Sequence, residues 1–125
     1  RLARGGLATA MIDVSDGLVQ DLRHLCTASR VGARLEAARL PCTPAVRAAG
    51  VALALTGGED YELLCAVPAQ HRRRVERLAD QLGHRMTCIG ICLPAAGGLT
   101  VVDAAGRPLR LRRAGHDHFA ARGRR

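Results

Sequence analysis

The stretch Ala8-Thr9-Ala10-Met11-Ile12-Asp13-Val14-Ser15-Asp16-Gly17-Leu18-Val19-Gln20-Asp21-Leu22 decides the fold. Its first half, Ala8 to Val14, is short and apolar, which predicts a buried strand. Ser15-Asp16-Gly17 breaks that strand. Leu18, Leu22 and Leu25 then recur at helical spacing, with Gln20, Asp21, Arg23 and His24 placed on the other faces and Ser15 as the expected N-cap. A strand running through a sharp acidic turn into a helix is the opening unit of a layered domain in which helices cover a sheet.

The rest of the chain repeats that grammar. Gly32 is expected to end the first helix, and Ala33 to Ala37 to form a second strand. Leu40-Pro41 starts a connection, and the Ala-rich segment Pro44 to Leu55 predicts a helix interrupted at Gly50. After the break at Thr56-Gly57-Gly58, a strand is expected over Tyr61 to Val67, closed by Pro68. Ala69 to Leu82 is amphipathic: Val75, Leu78, Ala79 and Leu82 form one stripe, opposite Arg72, Arg73, Arg74 and Arg77, with Gly83 as C-cap. Met86 to Leu93 predicts a strand. Leu99 to Asp103 and Pro108 to Leu111 predict a closing hairpin over Ala104-Ala105-Gly106. The expected fold class is α/β, an α+β sandwich with a mixed sheet and helices packed on one face.

At 125 residues, 48% of them apolar, the chain fits one domain with a small core, placed at residues 1–121 with a basic tail at 122–125. It opens on Arg1 rather than Met, which suggests part of a longer protein. No apolar run is long enough to span a membrane, and residues 1–7 carry no secretory pattern, so a cytoplasmic location is expected. The net charge is +8, and all 19 basic residues are arginine. Residues 107–125 hold seven arginines against one aspartate, so most of the excess is a tail. With only Tyr61 and Phe119 available for stacking, the pattern argues against nucleic acid. Five cysteines in apolar surroundings, without regular spacing, predict buried thiols and no disulfide framework. Cys88 and Cys92 on one strand would stand roughly 13 Å apart, too far to share a bond or a metal.

Of the eleven acids, five fall in two glycine-bearing junctions: Asp13 and Asp16 in the first, Glu59, Asp60 and Glu62 in the second. Two close carboxylates beside a hydroxyl suit Mg²⁺, which takes one or two carboxylates and completes its shell with water and phosphate oxygens. A helix N-terminus there offers N–H groups to an anion. Taken singly, each junction also fits a plain structural role: helix capping at Ser15 and Asp16, an acid-decorated turn at Glu59 to Glu62.

Together, AMIDVSDGL followed by TGGEDYELL resembles the thiamine-monophosphate kinases, of the aminoimidazole-ribonucleotide-synthetase-like superfamily. Leu40-Pro41, Cys88-Ile89-Gly90 and Gly115-His116-Asp117-His118-Phe119 extend the resemblance over nearly the whole chain. It implies the superfamily's C-terminal domain and transfer of the γ-phosphoryl group of ATP to thiamine monophosphate. It further implies Asp13 and Asp16 as Mg²⁺ ligands, Ser15 as an ATP contact, and Glu59 and His116 as substrate contacts. His116 stands where the family usually has an aromatic residue. In-line phosphoryl transfer needs no protein nucleophile, so no cysteine or serine is assigned one. The family's N-terminal domain, which carries most of the ATP pocket and the homodimer interface, is not in this sequence. The chain alone is therefore expected to be inactive. The other readings are a different ATP-using member of the superfamily and a non-catalytic binding domain derived from it.

Overall fold

The computed structural model describes residues 1–57 and 62–111. Strand β1 (Ala10–Val14) alternates: Ile12 and Val14 turn inward while Met11 and Asp13 stay exposed. It pairs antiparallel with β3 (Glu62–Ala66), Val14 opposite Glu62 and Asp13 opposite Leu63. Helix α1 (Leu18–Ser29) packs beside β1 and buries Leu22 and Cys26. Arg30, in the left-handed conformation at φ 54°, ends it by donating its N–H to Cys26 and Thr27 carbonyls. The terminator is thus two residues earlier than the expected Gly32, which lies within β2 (Val31–Glu36).

β2 is the centre of a second, mixed sheet. β4 (Gly90–Pro94) runs antiparallel on one side of it and β5 (Leu99–Val102) parallel on the other. Ala33 and Leu35 point into the core, whereas Arg34 and its neighbours Ile91 and Thr100 are exposed. Helices therefore cover one face of this sheet. The mixed sheet and one-sided helices match the sequence-based expectation, with the strands divided between two sheets. β4 begins at Gly90 rather than Met86 because β2 ends at Glu36, whose N–H reaches the Ile89 carbonyl. The chain then turns through Ala37–Arg39, leaving Met86 to Cys88 no strand to pair with.

Helices α2 (Pro44–Ala49) and α3 (Val51–Thr56) meet at Gly50, as the glycine predicts. Thr43 caps α2 through its hydroxyl, which accepts the Val46 N–H at 3.3 Å. From α3, Leu55 enters the core with no exposed surface, among Leu22, Cys26, Leu35, Leu40 and Val101. Helix α4 (Arg72–Leu82) follows a 3₁₀ turn at Ala69–His71 and buries Val75 and Ala79, ending in the left-handed cap Gly83. The cysteine expectation is corrected in part. Cys26 is buried and Cys42 and Cys65 are half-buried, but Cys88 and Cys92 are exposed, because they precede and occupy an edge strand.

The closing hairpin is present as a single antiparallel bridge between Val102 and Pro108 rather than a strand pair. Asp103 builds its turn, accepting the Ala105 and Arg107 N–H groups at 2.9 Å each and the Arg107 guanidinium at 2.9 Å. The Arg107 backbone N–H, ahead of its side chain and the Ala105 N–H, holds the Asp103 carboxyl below its ordinary 3.8. A depressed folded value stabilises the turn above the unfolded carboxylate range and loses that contribution as pH falls through the lowered value. The Ala105 and Arg107 amide resonances should therefore hold steady at neutral pH and move together below pH 3.8. Asp103→Asn should abolish that movement.

Candidate functional site

The turn from β1 into α1 is built differently from the capping arrangement expected of it. Ser15 is not the N-cap. That position belongs to Gly17, at φ 116° and ψ 143°, which has no side chain to cap with. No side chain caps the helix; the turn ahead of it is held instead by a carboxylate from inside the helix. Asp21, only 3% exposed, accepts the Ser15 N–H at 2.9 Å and the Asp16 N–H at 3.0 Å, both on Oδ2. Its own N–H donates to the Gly17 carbonyl at 3.0 Å. Asp21 was expected on a polar face and is instead buried. The signal for this was available: Leu18, Asp21, Leu22 and Leu25 follow the i, i+3, i+4, i+7 pattern of an inward stripe, with a carboxylate in one of its slots.

The Asp21 bonds change what the turn can hold. Two N–H groups that could have cradled a phosphate are taken. Asp13, Ser15 and Asp16 are all exposed, so the side-chain ligands the turn presents are carboxylate and hydroxyl oxygens. Such a set fits Mg²⁺, a hard cation that needs one or two carboxylates and draws its other ligands from water and phosphate. No group of three metal-binding side chains occurs among the described residues. Burial pushes the Cys26 thiol up, with Cys92 adding to it, and burial does the same at Cys65, which disfavours the reactive thiolate at both.

The second acidic junction meets the first from both sides. A side-chain carbon on Gly17 would stand 3.0 Å from the Thr56 carbonyl oxygen and 3.2 Å from its carbon, so the backbone before α1 lies directly against the end of α3. On the other side, Val14 pairs with Glu62. The chain on either side of residues 58–61, at Thr56 and at Glu62, is therefore held against the Val14–Gly17 segment. Glu59 and His116 themselves lie outside the described residues.

Against this geometry, the family model for the AIR synthase related protein, C-terminal domain, matches residues 1–101. The chain belongs to that family. The domain is 41% identical over 119 residues to the thiamine-monophosphate kinase of Escherichia coli O157:H7, covering 91% of this chain and 36% of the kinase. Its fold aligns with the crystal structure of thiamine-monophosphate kinase from Stenotrophomonas maltophilia K279a at TM-score 0.72 and 35% identity, over 87% of this chain and 34% of that one. A structure described as AaThiL complexed with AMPPCP and TMP aligns at TM-score 0.62 and 29% identity, over 82% and 33%. The hydrogenase maturation protein HypE of E. coli reaches TM-score 0.72 at 26% identity, over 90% and 38%. This AIR-synthase-related domain thus spans about a third of the length of the relatives it matches, and its likeness to thiamine-monophosphate kinases agrees with the motif resemblance. The same fold serves HypE, so fold alone does not distinguish kinase from maturation protein. No helix among the described residues is long and apolar enough to cross a membrane.

Proposed function

We propose that this domain forms one wall of the active site of an ATP-dependent thiamine-monophosphate kinase, which phosphorylates thiamine monophosphate to thiamine diphosphate. The observation that carries the reading is the approach of Gly17 to Thr56. With the Val14–Glu62 pair it joins the Asp13–Asp16 turn to both ends of the Glu59 segment, so a metal-binding and an acceptor-binding function can share one rim. The 41% identity to a thiamine-monophosphate kinase supports that chemistry over other members of the fold.

In this reading Asp13 and Asp16 hold Mg²⁺, which when bound neutralises phosphate charge during transfer. The Ser15 hydroxyl orients an ATP phosphate. Glu59 and His116 grip the thiamine substrate and set its terminal phosphate in line with the γ-phosphorus. The attacking oxygen is the substrate's own phosphate oxygen, and ADP leaves, so the protein forms no covalent bond and needs only to position and neutralise. The remaining wall of the ATP pocket and the homodimer contacts come from protein outside these 125 residues.

ADP release with ATP, Mg²⁺ and thiamine monophosphate tests the reading. The whole protein should turn over and the 125-residue chain should show background only. Turnover by the isolated chain would refute the shared-wall reading. A whole protein that binds ATP but not thiamine monophosphate would move the assignment to another ATP-using branch of the fold.

A further inference from the structure

We infer that Asp21 is a positioning residue for the candidate metal site: it locks the Ser15–Gly17 turn into an oxygen-presenting form selective for a divalent cation. The inference rests on the metal role proposed above for Asp13 and Asp16.

A carboxylate 3% exposed is an expensive group to bury, and among the described residues no arginine forms a salt bridge with it. Among the described residues the cationic group nearest to a salt bridge is His24, whose Nδ1 lies 3.8 Å from Oδ1 on a side chain 59% exposed. The charge is satisfied instead by the Ser15 and Asp16 N–H groups, both directed at Oδ2. Charge-assisted bonds of this kind are stronger than those a neutral serine or asparagine acceptor would make. They also carry a geometric consequence. With both N–H groups turned inward to Asp21, the peptide units between β1 and α1 have a fixed orientation, and the exposed carboxylates of Asp13 and Asp16 flank it. The buried negative charge beneath adds to the potential that attracts a cation and repels free phosphate. Satisfying these two N–H groups alone would need only a neutral hydrogen-bond acceptor; it would not need an anion.

The two roles of Asp21 separate by substitution. Because one oxygen takes both N–H groups, Asp21→Asn can keep both bonds and lose only the charge, whereas Asp21→Ala loses both. In the whole protein, Mn²⁺ binding followed by electron paramagnetic resonance, without nucleotide, gives a readout independent of turnover. Asp21→Ala should weaken Mn²⁺ about tenfold or more, and Asp21→Asn by an intermediate factor. Hydrogen exchange at the Ser15 and Asp16 amides should accelerate in Asp21→Ala only. Both variants should keep the wild-type circular dichroism. Unchanged Mn²⁺ affinity in Asp21→Ala, where Asp13→Asn does weaken it, would overturn the inference and leave the metal reading intact. Mn²⁺ binding indifferent to Asp13→Asn would overturn the metal reading and this inference with it.

Discussion

Gly17→Ala is expected to destabilise the domain by about 3 kcal/mol or more, and to damage the site beyond that loss. Two effects add. At φ 116° and ψ 143° Gly17 occupies a region that L-residues avoid, worth roughly 1–3 kcal/mol. The new methyl would also stand 3.0 Å from the Thr56 carbonyl oxygen, a backbone atom at the end of a helix that cannot swing aside. Gly50 supplies the control. It has almost the same backbone angles, φ 112° and ψ 141°, and also precedes a helix, but nothing lies within 4 Å of the place its methyl would occupy. Gly50→Ala therefore reports the strain alone. Urea unfolding of the two variants should place Gly17→Ala below Gly50→Ala by about 1 kcal/mol or more. Equal losses would mean that α1 and α3 separate without cost, and the junction between the two acidic segments would lose its importance.

In the whole protein, Asp13→Asn and Glu59→Gln are expected to fail in different ways. Asp13→Asn removes a charged metal ligand, so kcat should fall and recover in part at high Mg²⁺. Glu59→Gln removes charge from the proposed acceptor site. It should raise KM for thiamine monophosphate with KM for ATP near normal, a loss of roughly 1.5–3 kcal/mol for a charged hydrogen bond. Steady-state kinetics in both substrates, with thermal melts as the stability control, would decide. Small equal changes in both Michaelis constants, tracking a fall in melting temperature, would mean that both residues only shape turns.

Much of this was legible in the residues. Each strand and helix was expected near where it occurs, because apolar alternation and helical spacing are local properties. The Gly50 break and the Gly83 cap follow from glycine alone. The errors lie where a partner remote in sequence decides. Met86 to Cys88 has strand-like composition, yet β2 has already turned away and leaves nothing to pair with. Ser15 is a good N-cap by type, but the N-cap falls two residues later at Gly17, and Asp21 holds the Ser15 and Asp16 N–H groups from within the helix. At the candidate site, type and spacing single out the acids, and the family resemblance alone gives them roles. The approach of Gly17 to Thr56 is a long-range contact with no local mark except the glycine itself.

The ladder registers also set when this domain can form during synthesis. Ala10 finds its partner at Ala66, Val31 at Pro94 and Ala33 at Leu99, so among the described residues no two consecutive strands pair, and the one local closure is the Val102–Pro108 bridge. Each of these strand pairings must close a long loop before it is rewarded, which makes folding slow relative to helix formation. On the ribosome α1 can wind early, but β1 waits for β3 and β2 stays unpaired until β4 has emerged. Through that interval the open edges of β1 and β2 are the nascent chain's exposure to wrong pairing with neighbouring chains.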